Sequence, residues 1–202
     1  MKLFSQILCA LIYLHDLGIV HRDIKLGNIL MQGSMAKLAD FGLAVYYHQH
    51  DQKHICGTPN FLAPEVFRTK KHSPSSDIWA AGCVLYTLLV GRSPFRFTTM
   101  SETARKIKNV DYDLPVDLSL AARQCLKAIL TDKPETRCTP AQIQRSTLFV
   151  NHLPIAQSQR GLTVRAFSDS TNVLRDPPPV VPPKPKTFNI IESHKDQKIN
   201  RI

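Results

Sequence analysis

The sequence predicts a mostly α-helical domain with one small β-hairpin, followed by a disordered tail. Apolar residues recur at helical spacing through most of the first ~150 positions. Two short apolar segments flank a Gly33-Ser34 turn, and the helical period fades past about residue 155.

Leu3, Phe4, Ile7, Leu8, Leu11 and Leu14 share one helical face, which predicts a helix over 2–17. Gly18 stands where a helix end favours a residue tolerant of positive φ. The segments Ile29-Leu30-Met31 and Lys37-Leu38-Ala39 are the two arms of the hairpin. From Ser75-Ser76-Asp77, taken as a helix N-cap cluster, the chain is apolar all round to Leu89, so this helix is expected to be buried on every side. Further helices are expected at about 101–109, 119–130 and 140–146, the last opened by Thr139-Pro140. No strand-rich region is expected after residue 42. The domain should span 1–152 and the tail 153–202, where Pro177-Pro178-Pro179 and Pro182-Pro183-Lys184-Pro185 impose extended polyproline geometry. Such a tail suits a semi-rigid linker or, alternatively, a ligand for an SH3-type partner.

A length of 202 residues allows about one domain plus that tail. Five cysteines without a C-x-x-C pair argue for reduced thiols in an intracellular protein, against a disulfide framework or a zinc site. The net charge of +10 is scattered, and no Lys/Arg run reaches the five to eight residues of a dedicated basic patch, so no nucleic-acid partner is expected. The apolar start is broken by Ser5-Gln6 and followed by His15-Asp16, unlike a signal peptide. The longest apolar run, Ile78 to Val90, has 13 residues, too short to cross a membrane as a helix.

The chemistry concentrates at the ends of the hairpin. In His21-Arg22-Asp23-Ile24-Lys25-Leu26-Gly27-Asn28 a carboxylate, a cation and an amide stand at fixed offsets. Asp23 can orient an attacking hydroxyl and accept its proton, Lys25 can neutralise a transferring phosphoryl group, and Asn28 can ligate Mg²⁺ through oxygen. Asp40-Phe41-Gly42 follows with its first residue 17 positions after Asp23 and would supply the other half of the metal site; Ala63-Pro64-Glu65 begins 21 residues after Gly42. A surface loop of alternating charge explains any two of these residues, but not the ordered set. The set resembles the catalytic and metal-binding loops of eukaryotic protein kinases. Residues 2–149 resemble the C-terminal lobe of that domain, with Asp77-Ile78-Trp79-Ala80-Ala81-Gly82 as its buried-helix signature.

Lys25-Leu26-Gly27-Asn28, Cys56-Gly57-Thr58-Pro59-Asn60-Phe61, Tyr86-Thr87-Leu88-Leu89-Val90-Gly91 and Pro94-Phe95 resemble the polo-like kinases in particular. The resemblance implies ATP and Mg²⁺ as cofactors and proteins with Ser/Thr acceptors as substrates. It implies a cell-cycle role in cytoplasm or nucleus, including the centrosome. It also implies that Asp77 holds the catalytic-loop backbone, that Arg137 pairs with Glu65, and that Thr58 bridges Asp23 and Lys25. A Gly-rich phosphate loop, a strand Lys with its Glu partner and an adenine hinge have no match here, so the ATP-gripping lobe is expected to be absent and the isolated fragment inactive. The alternative is a non-catalytic binding module or dominant-negative scaffold. Nothing in 156–202 resembles a polo-box domain. In such kinases Arg22 receives an activation-loop phosphate, and the family's phosphorylated Thr falls where this chain has His54. Between Gly42 and Thr58 there is no Ser or Thr; the segment offers Tyr46, Tyr47, three histidines and one acid, Asp51. An activation loop not switched by Ser/Thr phosphorylation is therefore expected, either held by Asp51 or left mobile, with phosphorylation of Tyr46 or Tyr47 as the alternative.

Overall fold

The computed structural model describes residues 2–48, 55–96 and 99–150. The expected tail, its boundary at 152/153 and its SH3-type ligand lie outside the described residues.

Helix α1, Lys2–Asp16, buries Phe4, Ile7, Leu8, Leu11 and Leu14, the face expected from their spacing. It closes at Gly18, whose φ of 71° only glycine adopts without cost. Strand β1, Ile19–Val20, then delivers the chain into the motif beginning at His21. The hairpin is antiparallel, β2 at Ile29–Gln32 against β3 at Met35–Leu38, with Ile29 opposite Leu38. Asn28 immediately precedes one arm and Asp40 follows the other by two residues, so the hairpin brings the two motifs together.

A second two-stranded pair corrects the expectation of a single hairpin. Strand β4, Val45–Tyr46, lies antiparallel to β1, with Val20 opposite Val45. Two residues per strand are too few to leave a periodic signal, so this pairing is set by tertiary placement.

Helices follow at α2 (Pro64–Thr69), α3 (Pro74–Val90), α4 (Met100–Lys108), α5 (Leu120–Ile129), α6 (Pro140–Gln144) and α7 (Thr147–Val150). The cap of α3 is Ser73, earlier than the expected 75–77 cluster. Ser73 and Ser76 form a reciprocal capping box around Pro74, whose missing N–H suits the first helical position. Asp77 is thereby placed inside the first turn. Residues Ser76 to Tyr86 of α3 are buried, but Leu88 is 44% exposed, so the helix is enclosed along most of its length rather than all of it. Trp79 stacks on Phe95 at 5.4 Å beside this axis.

Gly82 shows how tightly α3 is packed, since a Cβ there would run into the side chains of Ile129 and Leu130. Overpacking of this kind costs about 1–3 kcal/mol. Gly82→Ala should therefore lower the urea midpoint with an unchanged m-value, and an unchanged midpoint would show that α5 yields freely.

Candidate active site

The loop after β1 is held in an unfavourable backbone state. Arg22 has φ 69° and Asp40 has φ 62°, left-handed values that are costly for residues other than glycine. Asp77 supplies the restraint: its carboxylate, 1% exposed, accepts from the backbone N–H of His21 at 2.8 Å and of Arg22 at 2.9 Å. His15 Nε2, from the last turn of α1, lies 3.1 Å from the same group.

Around Asp23 every carboxylate oxygen is engaged. Oδ1 accepts from the Thr58 N–H at 3.0 Å and the Thr58 hydroxyl at 2.7 Å. Oδ2 accepts from Lys25 Nζ at 2.7 Å and Asn28 Nδ2 at 3.0 Å. Lys25 also donates to Thr58 Oγ1 at 2.9 Å. Burial by itself would raise the Asp23 pKa, but the bonds from Lys25, Thr58 and Asn28 outweigh it and hold the carboxyl below the usual carboxylate value. Asp23 is thus ionised at neutral pH and can accept a proton.

The donor set suits Mg²⁺. Asn28 spends its amide N–H groups on Asp23, including the backbone oxygen at 2.9 Å, and its Oδ1 accepts no hydrogen bond among the described residues. Asp40 is exposed, and among the described residues only its Oδ1 is engaged, by the Gly42 N–H at 3.3 Å. Two hard oxygen donors fit an ion that keeps several waters and takes substrate phosphates as further ligands. No cluster of three or more His, Cys, Asp or Glu able to hold a metal occurs among the described residues. The Asp40 segment is tied to the loop through His21, whose Nε2 lies 3.1 Å from Ala39 O and whose ring packs on Phe41 at 5.0 Å.

Arg22 Nε donates to Leu43 O at 2.5 Å. Arg137 and Glu65 form a two-pronged pair at 2.7 and 3.0 Å, and Arg137 also donates to Ser75 O and Thr131 O and lies over Trp79. Asp51 and His54 lie outside the described residues.

Two contributors were not legible from pattern. His15 is one, because a histidine in a helix face carries no mark of its distant partner. Gly57 is the other: it has φ 96°, and a Cβ there would strike Arg22 O, so only glycine lets this segment lie against the loop. No helix among the described residues is long and apolar enough to cross a membrane.

Comparison with known proteins agrees with this geometry. The protein kinase domain family matches residues 1–149. Serine/threonine-protein kinase PLK4 of Nematostella vectensis is 42% identical over 141 residues, which cover 68% of this chain and 14% of that protein. Serine/threonine-protein kinase PLK2 of Mus musculus is 43% identical over 148 residues, 72% of this chain and 22% of that protein. Serine/threonine-protein kinase polo of Drosophila melanogaster is 44% identical over 141 residues, 68% and 24%. The matched stretch thus spans between 14% and 24% of the length of these relatives. With the family matched across the helices, the hairpin and the ring of polar groups around Asp23, the chain belongs to the protein kinase domain family, and polo-like serine/threonine kinases are among its relatives.

Proposed function

We propose that residues 1–152 are the C-terminal lobe of a serine/threonine protein kinase catalytic domain, which transfers the γ-phosphoryl group of Mg·ATP to Ser/Thr hydroxyls of protein substrates. The observation that carries this is the Asp23 carboxylate, held ionised between Lys25, Asn28 and Thr58. A substrate hydroxyl beside Asp23 is oriented for in-line attack, and its proton passes to the carboxylate. The new P–O bond forms to that oxygen as the bond to ADP breaks, and Lys25 offsets charge on the transferred group. Asn28 and Asp40 would hold Mg²⁺, which would supply positive charge to offset that of the phosphate groups. Leu30, Met31, Met35 and Phe41 are each about half exposed on and beside the hairpin. Such exposed apolar groups suit coverage by an ATP-gripping lobe.

The 202-residue chain by itself should therefore bind Mg·ATP weakly. Calorimetry giving a low-micromolar Kd for it would overturn the division of the site between two lobes. Fused behind a polo-like N-terminal lobe, the chain should phosphorylate Ser/Thr in a protein substrate. A correctly folded fusion without transfer would instead select the non-catalytic binding module.

Regulation should depart from phosphate switching. A histidine cannot replace a phosphate dianion opposite Arg22, and when protonated it repels that cation. An upstream Ser/Thr kinase should activate the fusion only as His54→Thr. Strong activation of the His54 form through a phosphate on the segment between Gly42 and Thr58 would end the idea.

A further inference from the structure

Resting on the role proposed for Asp23, we infer that Cys56 and His72 are positioning residues: together they seat Thr58 on Asp23 without any covalent modification. Thr58 gives Asp23 two of its four hydrogen bonds, so whatever fixes Thr58 fixes the base. Gly57, immediately before it, has no side chain to lock. The next side chain back is Cys56, whose Sγ lies 3.6 Å from His72 Nε2.

His72 is a firm post. It stands in the short connection between α2 and α3, and both ends of that connection are fastened. At one end Lys70 takes the left-handed conformation, φ 57°, and its N–H donates to Val66 O at 2.9 Å. At the other end Ser73 is locked in the capping box of α3. His72, Thr58, Arg22, Asp23 and Asp77 line one small pocket, so His72 stands close to the catalytic loop.

The protonation states match a directed contact. Burial pushes the Cys56 thiol up against the pull of Arg22, so sulfur keeps its proton. Burial, aided by Arg22 and opposed by Asp77, lowers His72 to about 4, so the ring is neutral. The thiol can then donate to Nε2 while Nδ1 carries the ring proton. A neutral ring also avoids placing a second cation beside Arg22. There is no Ser or Thr between Gly42 and Thr58 whose phosphate could hold this stretch, so a contact that needs no such phosphate suits it.

Backbone amide hydrogen exchange of the full chain, followed by NMR, tests this without catalysis. His72→Phe keeps a flat aromatic ring, somewhat larger, and removes the acceptor. It should speed exchange of the Thr58 amide about 10-fold or more, while the Leu85 amide inside α3 stays within about 2-fold. His72→Gln, which restores an acceptor at similar reach, should recover most of the protection. Cys56→Ser should likewise be protected and Cys56→Ala not. Unchanged Thr58 exchange in His72→Phe overturns the inference, as does a matching rise at Leu85 or a Gln variant that behaves like Phe. Thr58 protection that follows this pattern, alongside a correctly folded N-terminal-lobe fusion that transfers no phosphate, would fault the kinase role and leave the seating intact.

Discussion

Asp23→Asn, made in the chain fused behind a polo-like N-terminal lobe, is expected to reduce phosphoryl transfer by about 10²–10⁴-fold, the range for loss of a positioned general base. Binding of Mg·ATP should stay nearly intact. The amide preserves the shape of the carboxylate, and its oxygen can still accept from Thr58, but it can take no proton from a substrate hydroxyl. Its NH₂ would also face the Lys25 ammonium, which now donates to Asp23 Oδ2 at 2.7 Å, so some disorder of Lys25 should accompany the loss. Asp40→Asn is the contrasting variant. It removes an ionised oxygen donor from the proposed metal site, so binding and transfer should weaken together. Single-turnover rates and Mg·ATP titrations separate the two cases. Transfer near the wild-type rate in the Asp23 variant would refute the base assignment, and Mg·ATP binding untouched in the Asp40 variant would remove Asp40 from the metal site.

Arg137→Ala should be the most damaging single change to stability, by about 3–5 kcal/mol, because it strands a buried carboxylate. Glu65 is 9% exposed, and Arg137 supplies both of its side-chain hydrogen bonds. The same guanidinium satisfies Ser75 O and Thr131 O, so two carbonyls lose a donor as well. Its position over Trp79, 5.2 Å from the ring centroid, adds packing that alanine cannot replace. Urea unfolding of the chain measures the loss. Glu65→Met combined with Arg137→Leu should recover a large part of it, since an apolar pair leaves no charge uncompensated. A double variant as unstable as Arg137→Ala would show that the carbonyl and Trp79 contacts, rather than the stranded charge, dominate.

Helix α1, the hairpin and the long buried helix were legible because each repeats a pattern over many residues. The spacing of Leu3 through Leu14 and the unbroken apolar run beyond Asp77 state which faces must leave water. The proposed site residues stood out in the sequence for a different reason. Asp23, Lys25 and Asn28 lie within six positions of one another, and Asp40 returns across a hairpin with a turn marked by Gly33. Local chemistry of that kind needs little tertiary information.

What the sequence by itself determined is therefore the helical character, the single glycine-turned hairpin and the identity of the groups around Asp23. The tertiary structure alone decided how those groups are held. The β1–β4 pair is two residues long on each side, and two residues have no period. The cap of α3 fell on Ser73 because a reciprocal pair with Ser76 satisfies more end groups than any serine in the cluster could alone. The contacts His15 to Asp77 and Cys56 to His72 cross 62 and 16 positions of chain, and Gly57 matters only because Arg22 O lies where a Cβ would go. Such closeness is a property of the packed core, which brings distant residues within hydrogen-bond reach and leaves no trace in the local order of side chains.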